Sequence, residues 1–481
     1  MNLRALLAAS SLCLSASADD PTPAEIEQAL LRAAKFFREE VGVQGTYLWQ
    51  YSADLSKREG EGKASKTQGW VQPPGTPSVG MAYLEAWEAT TNRYFLDAAR
   101  ETALGLLRGQ LQSGGWAHMI ELDPELRGKY AYRGEDKKRG RNVTTFDDDS
   151  TQSALRFLVR LDNALKLEDE KIHSGIGYAL QAVLKAQYPN GAWPQGYDQF
   201  PDPSKFPVKK ANYPETWARE WPGSQQYWQR YTLNDNSLAT MVDTLLEAAR
   251  RYTGSADETF AQLVIDCHKA AERSGDFLIL AQMPEPQPGW AQQYNFDMQP
   301  AWARKFEPPA ITGGESQGAL RTLLDLYRAT GNEKFLAPIP KALEWLKKSR
   351  LPDGRLARFY ELRTNRPLYF TRDYRLTYDD SDMPTHYSFK TSDRSDSIAA
   401  EYERLRKLDK AGLQKPESAP KPPSATEVNR ILAALDDRGR WVESGRLRYH
   451  GAADDTREVI RSSTFAQNIS DVSAYLRARL R

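Results

Sequence analysis

The chain has 481 residues, of which 40% are hydrophobic and 27% are charged, and 65 basic residues face 64 acidic ones. This composition is ordinary for a soluble globular protein, and the length suits one large domain or two to three small ones. The balanced charge excludes a global positive field that would attract nucleic acid or an anionic membrane. An anionic ligand would therefore need basic residues that gather locally.

Residues 1–18 have the pattern of a secretory signal peptide. Arg4 provides a short positive region, Ala5 to Leu14 is an apolar stretch too short to span a bilayer, and Ala16-Ser17-Ala18 is an A-x-A cleavage site. We therefore expect a secreted bacterial protein, periplasmic or extracellular. Its mature chain would hold Cys267 as the only cysteine, which excludes an intramolecular disulfide.

The dominant hydrophobic periodicity is helical. Thr76-Pro77 has the residue pattern of a helix start and predicts a helix that runs through Trp87. Leu238, Met241, Val242 and Leu245 recur at the spacing of one helix face, and similar stripes occur elsewhere. Alternating strands are scarce, and Arg358 to Phe370 is the best candidate for local β-structure.

A weak internal repeat follows two of the helical stretches, in the frame L-x-x-Q-x-x-x-G-x-W. It runs from Leu107 to Trp116 and again from Leu184 to Trp193, and Arg350 to Gly354 resembles a degenerate third copy. A repeated helix, glycine turn and aromatic residue favours helical hairpins that close around a central axis, as in an α/α toroid. The alternative is a common helix C-cap with a hydrophobic anchor.

The domain organisation follows from one Pro-rich segment. We expect a main domain over residues 19–412, a Pro-rich linker over residues 413–425 and a small C-terminal tail over residues 426–481. The tail is too short for an independent core, so we expect it to pack on the main domain.

Two Asp-rich segments each precede an apolar-periodic helix. The first is TTFDDDST (Thr144 to Thr151), and the second is LNDNS (Leu233 to Ser237). Carboxylates are favourable at helix N-termini, so helix capping explains a single aspartate. Adjacent aspartates repel each other unless a cation or a basic group lies between them. Hard oxygen ligands suit Ca²⁺. The spacing leaves metal binding, solvated caps and an acid/base carboxylate pair open.

Basic residues gather late in the chain. The segment WARKFE places Arg304 and Lys305 beside Glu307 in a loop between Pro300 and Pro308. Further arginines follow, interleaved with tyrosines, among them Arg358 and Arg372. Because the guanidinium fork matches a carboxylate bidentately, this cluster indicates an acidic substrate, with a solvated basic surface as the alternative.

Taken together, these motifs resemble the pectate lyases of polysaccharide lyase family 10, the pectic acid lyases. The matching segments come in the family's order and cover most of residues 70 to 380. They are TTFDDDSTQSALRFL (Thr144 to Leu158), LKAQYPNGAWPQGYD (Leu184 to Asp198), YTLNDNS (Tyr231 to Ser237), WAQQYNFDMQPAWARKFEPPAITGGES (Trp290 to Ser316) and PDGRLARFYELRTNRPLYFTRDY (Pro352 to Tyr374).

The resemblance implies an all-α fold, an (α/α)3-type toroid with irregular loops and little β-structure. It also implies cleavage of polygalacturonate, the acidic polysaccharide of pectin, by Ca²⁺-assisted anti β-elimination in a monomer. Arg304 would be the base, although arginine is normally always protonated. Ca²⁺ and other guanidiniums would have to disfavour its charged form.

The resemblance assigns further roles residue by residue. The metal ligands would come from Asp147, Asp149 and Asp235, and the substrate-binding residues would be Arg358, Arg372, Lys305, Trp193 and Asn236. One departure is visible, because the family usually reads D-N-D where this chain has Asp147-Asp148-Asp149.

Two rival functions stay open at the level of sequence. A glycoside hydrolase on the same scaffold would use Asp149 and Asp235 as general acid and base, and it would yield saturated products without needing a metal. A non-catalytic protein that binds acidic glycans would keep the arginines but show affinity without turnover.

Overall fold

The computed structural model describes residues 20–135, 140–415 and 420–480, so the signal-peptide prediction for residues 1–18 lies outside the described residues. Helices dominate the described part of the chain. They are α1 (Pro23–Phe36), α2 (Thr76–Thr90), α3 (Arg93–Arg108), α4 (Ser150–Ala164), α5 (Glu170–Lys185), α6 (Ser237–Tyr252), α7 (Glu258–Ala281), α8 (Gly313–Thr330), α9 (Ile339–Lys348), α10 (Ser395–Leu405), α11 (Lys410–Leu413), α12 (Ala425–Ala433) and α13 (Ser462–Leu480).

The helices pack in two layers of side-by-side hairpins. In one layer α13, α2, α4, α6, α8 and α10 contact one another in that order, and in the other α3, α5 and α7 do so. Each of α2, α4, α6 and α8 also packs against the helix that follows it in the chain. This arrangement confirms the predicted all-α fold of the α/α toroid type.

The repeated tryptophans close the hairpins from inside. The indole N–H of Trp116 donates to the carbonyl of Leu106 at 2.8 Å, and that of Trp193 donates to the carbonyl of Val183 at 3.1 Å. Two copies that the sequence frame missed make the same bond, from Trp290 and from Trp441. The repeat is therefore structural, with each indole anchored near the end of the preceding helix.

The strands are short and join the loops at the ends of the helices. They are β1 (Gln50–Ser52), β2 (Arg58–Glu59), β3 (Gln68–Trp70), β4 (Met119–Glu121), β5 (Thr144–Thr145), β6 (Gly196–Tyr197), β7 (Tyr231–Thr232), β8 (Gln293–Tyr294), β9 (Ile311–Thr312), β10 (Leu356–Ala357), β11 (Phe359–Tyr360), β12 (Pro367–Phe370), β13 (Leu376–Thr377), β14 (Lys390–Thr391), β15 (Val442–Ser444) and β16 (Glu458–Arg461). The β-structure expected between Arg358 and Phe370 is confirmed by β11 and β12, which pair antiparallel.

Three of the strand pairs position the functional loops. β4, β6 and β8 each follow a repeat tryptophan, and each pairs with a strand that leads into α2, α4 or α6, namely β3, β5 and β7. The loops that precede these helices are therefore tied to the hairpin ends. The two Asp-rich segments lie in two of these loops.

The C-terminal part packs against the first hairpin. α13 contacts α2 and α1, and β16 pairs with β1 in the register Tyr51↔Ile460. α13 begins at Ser462, directly after β16. Residues 416–419 of the predicted linker lie outside the described residues. The domain boundaries stay a prediction.

The buried side chains form two large apolar clusters, one around α2, α4 and α13 and one around α7, α8 and α9. Cys267 is buried in the first of them. A search of the described helices found none with the length and apolar character needed to cross a membrane.

Candidate active site

The two Asp-rich segments fold into the same turn. Residues 147–149, here the first Asp turn, and residues 234–236, the second Asp turn, each form a tight turn that leads into an α-helix. The backbone N–H of Ser150 donates to the carbonyl of Asp147, and that of Ser237 donates to the carbonyl of Asn234. Both turns contain two consecutive left-handed residues, Asp148 (φ 48°) with Asp149 (φ 60°), and Asp235 (φ 49°) with Asn236 (φ 57°). Asp and Asn tolerate this conformation better than other residues with a side chain, which explains the local sequence.

A threonine stabilises the start of each turn. The hydroxyl of Thr145 accepts the backbone N–H of Asp147 at 3.2 Å, and the hydroxyl of Thr232 accepts the backbone N–H of Asn234 at 3.1 Å. Both threonines belong to the short strands β5 and β7. The same strand, threonine and turn therefore occur twice, and the turns contact each other.

The turns bring three carboxylates together. One carboxylate oxygen from each of Asp147, Asp148 and Asp235 lies within 4.8 Å of the others. Gln72 donates to Asp148 Oδ2 at 2.7 Å, and Asn234 donates to Asp235 Oδ2 at 2.5 Å. We call these three residues the Asp cluster.

Burial and neighbouring negative charges disfavour the ionised forms of Asp148 and Asp235. Burial, with the charges of Asp147 and Asp148, raises the pKa of Asp235 to about 7. Burial, with the charges of Asp147 and Glu61, raises the pKa of Asp148 to about 6. A cation between the carboxylates would remove this penalty.

The donor set fits a hard cation. Asp147 Oδ1 and the side-chain oxygen of Asn234 are buried and have no hydrogen-bond partner among the described residues. Buried polar atoms of this kind need a partner such as a water or an ion. Carboxylate and amide oxygens are the ligands that Ca²⁺ prefers, so the residues present suit calcium.

Arg304 lies in an irregular loop, as the sequence predicted, and is held there by Glu307. The guanidinium makes a fork on the Glu307 carboxylate, with Nε–Oε2 at 2.9 Å and Nη2–Oε1 at 2.6 Å, and the backbone N–H of Arg304 donates to Oε2 at 3.0 Å. The hydroxyl of Tyr387 donates to Glu307 Oε1 at 2.9 Å. Nη1 of Arg304 makes no hydrogen bond within the described part of the chain, while 41% of the side chain is exposed.

Arg304 is electrostatically coupled to the Asp cluster. The positive charge of Arg304 partly offsets the burial and the negative charges that raise the pKa of Asp148. The negative charge of Asp235 in turn contributes to raising the pKa of Arg304. Burial lowers the pKa of Arg304, but the hydrogen bonds and charge of Glu307 outweigh this and raise the pKa above its ordinary value. The structure therefore places residue 304 near both Asp turns, with a fully charged guanidinium.

A cavity of about 530 Å³ adjoins the second Asp turn and is lined by Asp235, Asn236, Glu315 and Arg358. Arg358 lies 3.8 Å from Glu315 and 4.4 Å above the ring of Tyr387. Its Nε is buried without a partner among the described residues, as is Glu315 Oε2. The cavity thus combines an available guanidinium with the aspartate of the cluster.

The family model described as pectic acid lyase matches residues 110–356, which is just over half of the chain. The chain belongs to the pectic acid lyase family. This membership makes it a polysaccharide lyase, a pectate lyase by the family's description. No curated protein matched the chain.

Solved structures show only distant likeness to this pectic acid lyase. A point mutant of a family 10 polysaccharide lyase from Cellvibrio cellulosa in complex with trigalacturonic acid is 22% identical, with 67% of this chain and 98% of that chain covered and a TM-score of 0.46. A cellobiose 2-epimerase from Bacillus thermoamylovorans is 12% identical, with 95% and 98% covered and a TM-score of 0.41. A family 76 glycoside hydrolase from a bovine Bacteroides thetaiotaomicron strain is 11% identical, with 95% and 78% covered and a TM-score of 0.42.

The carboxylates that the structure brings together differ in one residue from the metal ligands expected from the resemblance, and the metal ligands of this pectic acid lyase stay a prediction. Asp149 forms an ion pair with Arg156 instead of joining Asp147 and Asp235. Asp148 takes its place, because the two consecutive left-handed residues turn successive side chains in different directions. Asp148 thus supplies the third carboxylate of the Asp cluster.

Two predicted substrate-binding residues lie away from the cluster. Trp193 is only 2% exposed and is the structural anchor of its hairpin, so it has no face for a ligand. Arg372 has 72% of its side chain exposed, pairs with Asp382 at 3.3 Å and does not line the cavity beside Asp235. By contrast, Asn236 and Arg358 share the cavity beside Asp235.

Sequence reasoning gave no role to three residues that the structure places at the site of this pectic acid lyase, namely Glu307, Gln72 and Glu315. Glu307 was visible three residues after Arg304, a spacing that permits a contact, but nothing marked it as the partner. Gln72 and Glu315 carried no local signal, because long-range folding brings them to the Asp cluster and to Arg358.

Proposed function

We propose that this secreted enzyme cleaves polygalacturonate by Ca²⁺-assisted anti β-elimination, with Arg304 as the group that removes the C5 proton of a uronate. The observation that carries the proposal is the placement of Arg304 within electrostatic reach of the Asp cluster. Family membership supports the reaction class.

Asp147, Asp148 and Asp235 would hold the calcium ion. When bound, Ca²⁺ would supply positive charge that neutralises the uronate carboxylate and thereby makes the neighbouring C–H bond more acidic. The raised pKa values of Asp148 and Asp235 support this assignment, because they arise from burial together with neighbouring carboxylates, and a bound cation would offset both effects.

Glu307 gives Arg304 a fixed orientation. The fork occupies Nε and Nη2, so Nη1 is the nitrogen left to meet the C5 proton. The raised pKa of Arg304 opposes its role as a base, because proton removal requires the neutral form. The base role therefore requires that positive charge from calcium and from Arg358 offsets the effect of Glu307 when substrate fills the site.

Arg358 and Asn236 would bind the substrate carboxylate next to Asp235. Charge builds on that carboxylate as the C5 proton leaves, and preorganised donors stabilise such charge more strongly in the transition state than in the ground state. The unpartnered Nε of Arg358 and the exposed amide of Asn236 provide donors of this kind. The 4-linked oxygen then leaves, and a 4,5-unsaturated sugar end forms.

The test is incubation of the mature enzyme with polygalacturonate, with and without EDTA, while the ultraviolet absorbance of the unsaturated product is followed. We expect product that depends on calcium. Saturated ends formed in the presence of EDTA would instead identify a hydrolase, and tight binding without product would identify a glycan-binding protein.

Secretion and the monomeric state belong to the same proposal. The signal-peptide pattern of residues 1–18 supports export, because pectin is met outside the cell. N-terminal sequencing of the exported protein should begin at Asp19, and light scattering should give the mass of one chain.

A further inference from the structure

Gln72 is a buried amide that reaches the Asp cluster from outside the residues that match the family model, 110–356. Its side chain is 5% exposed, and Nε2 donates to Asp148 Oδ2 at 2.7 Å. Oδ1 of Asp148 accepts no hydrogen bond within the described part of the chain. The bond from Gln72 therefore fixes one oxygen of this carboxylate and leaves the other for a cation.

Gln72 occupies the same position in its loop as the first residue of each Asp turn. In three loops a backbone N–H donates to the carbonyl of the residue two places after a repeat tryptophan, and the donors are Val71, Phe146 and Leu233. The residue that follows each donor is Gln72, Asp147 or Asn234. Three successive hairpins thus each direct one polar residue from the same position of the loop to the site.

Two indole groups hold Gln72 in place. The indole N–H of Trp70 donates to Gln72 Oε1 at 3.1 Å, and that of Trp49 donates to the backbone carbonyl of Gln72 at 2.9 Å. An indole N–H can only donate, so the amide oxygen must face Trp70 and the amide nitrogen must face Asp148. A flipped amide would set its oxygen against the carboxylate and its NH2 group against the indole N–H.

Residues near the C-terminus support this pair of indoles. The backbone N–H of Ser462 donates to the carbonyl of Trp49 at 2.9 Å, and the N–H of Trp49 donates to the carbonyl of Glu59 at 3.1 Å. The buried carboxylate of Glu59 in turn accepts the backbone N–H groups of Arg448 at 2.9 Å and of Tyr449 at 2.8 Å. The position of Trp49 therefore depends on residues from both ends of the chain.

Gly60 completes the support, because its backbone lies directly against the ring of Trp70. A Cβ atom at this position would lie 2.2 Å from a ring carbon, so only glycine permits the contact. On another side the ring of Trp49 meets that of Trp70 nearly edge to face, with 6.2 Å between the ring centres. The indole of Trp70 is thus packed in the orientation that directs its N–H to Gln72.

We propose that Gln72 is a positioning residue that holds Asp148 in the calcium-binding arrangement, and that the hairpin built from the two ends of the chain is therefore part of the active site. The donor stabilises the charged carboxylate and keeps it turned toward Asp147 and Asp235. Side chains that orient metal ligands in this way raise metal affinity. This inference rests on the proposed function, because it concerns the same calcium site.

The test is calorimetric titration of calcium into the chelator-treated wild-type protein and into Gln72→Met, which keeps the length of the side chain but loses both hydrogen bonds. We expect the Kd for calcium to rise roughly tenfold or more. Formation of unsaturated product should fall at limiting calcium and recover at saturating calcium. An unchanged calcium Kd in folded Gln72→Met would overturn the proposal.

A double variant tests whether Trp70 acts through Gln72. Trp70→Phe keeps a ring beside Gly60 but removes the indole donor, so it should also weaken calcium binding. The Trp70→Phe, Gln72→Met double variant should bind calcium no more weakly than Gln72→Met alone, because the amide that Trp70 orients is already gone. Losses that add would show that Trp70 acts independently of Gln72 and would overturn the role of the support.

Trp345→Phe is the matched control. Trp345 is also buried and also donates its indole N–H to a side-chain amide oxygen, that of Asn365 at 2.9 Å, but it lies on α9. This variant should lose thermal stability and bind calcium with the wild-type Kd. Equal weakening of calcium binding by Trp345→Phe and Trp70→Phe would mean that only overall stability is at work, against the proposal.

Crystal structures of the calcium-free wild-type protein and of calcium-free Gln72→Met separate this inference from the proposed function. We expect the carboxylate of Asp148 to rotate away from Asp147 and Asp235 in the variant. Such a rotation supports the positioning role even if calorimetry detects no calcium binding to the wild type, which would refute the calcium site alone. An Asp148 carboxylate in the same position in both structures contradicts the positioning role.

Discussion

The first and second Asp turns share one backbone and differ in their side chains. The middle residue of each, Asp148 and Asp235, supplies a carboxylate to the Asp cluster. The first residue is Asp147 in one turn and Asn234 in the other, and the third is Asp149, paired with Arg156, against the exposed Asn236. The repeated backbone turn thus sets the positions of the side chains. The identity of each side chain then decides whether its oxygen joins the Asp cluster or is exposed to a ligand.

The largest effect should come from substitution of Arg304, which lies near both Asp turns. Arg304→Ala and Arg304→Lys should each reduce kcat by at least about 10³-fold, because the proton acceptor is lost. The rate of unsaturated-product formation measures this, and circular dichroism checks that the fold persists. Appreciable activity in Arg304→Ala would rule out Arg304 as the base.

The two turns make opposite predictions for Asp→Asn changes. Asp235→Asn should lower activity at limiting calcium by roughly 100-fold, since a cluster carboxylate is lost. Asp149→Asn should change activity little and remove only the ion pair with Arg156, at a cost in stability of about 1 kcal/mol or less. Reaction rates measured over a range of free calcium concentrations distinguish the two variants. A larger loss of activity in Asp149→Asn than in Asp235→Asn would mean that Asp149, and not Asp235, belongs to the calcium site.

Glu307→Gln should reduce kcat roughly tenfold by loosening the Arg304 fork. Burial raises the pKa of Glu307, but the hydrogen bonds from Arg304 outweigh this and lower it below its ordinary value. Its stabilising contribution is therefore present above pH 4.5 and is lost as the pH falls through the lowered pKa. Thermal unfolding should show the gap between wild type and variant closing in acid.

Glu247→Gln is the control for this variant. Glu247 is also nearly buried and pairs with Arg160 at 2.6 Å, but on the helices α4 and α6. The Glu247→Gln variant should be less stable than the wild type but equally active. Equal loss of activity in both variants would mean that Glu307 acts only through overall stability.

The smallest effect should be on the thermal stability of the calcium-free protein. The raised pKa values of Asp148, about 6, and Asp235, about 7, mean that these groups stabilise the fold fully below pH 3.8 and lose that contribution as the pH rises through 6 to 7. Relative to Asp235→Asn, the wild-type Tm should therefore fall by roughly 2 °C between acid and neutral pH.

Calcium should remove this difference in Tm at neutral pH and change it little in acid. Scanning calorimetry of both proteins with calcium or with EDTA provides the measurement. If the Tm values of wild type and Asp235→Asn changed with pH in parallel, Asp235 would not destabilise the calcium-free protein when it ionises.

Sequence predicted the helical architecture because hydrophobic periodicity and the G-x-W frame report local structure directly. The copy at Trp441 keeps the spacing of the frame but has Leu435 where the frame has glutamine. The copy at Trp290 has a longer turn, because its indole bonds a carbonyl 12 residues earlier in the chain instead of 10. Trp193 fits the frame, but its burial as the anchor of its hairpin leaves no exposed face for the substrate-binding role expected from the resemblance. A tryptophan at a repeated position is better interpreted as a structural anchor than as a binding residue. Its burial depends on packing that the sequence does not display.

The site was predictable in its residue types and less so in its geometry. The structure brings Arg304, Arg358, Asn236, Asp147 and Asp235 to one region, while their roles stay predictions. Asp148 and Asp149 could not be told apart in a run of three identical residues, because only the two left-handed conformations decide which side chain points to the cluster.

Calcium binding to the chelator-treated protein, measured by isothermal titration calorimetry at about pH 8, above the raised pKa values, tests the assignment of the Asp cluster most directly. One binding site should appear in the wild-type protein, persist in Asp149→Asn and be lost or strongly weakened in Asp235→Asn. Unchanged calcium binding in Asp235→Asn, or its loss in Asp149→Asn, would contradict the account.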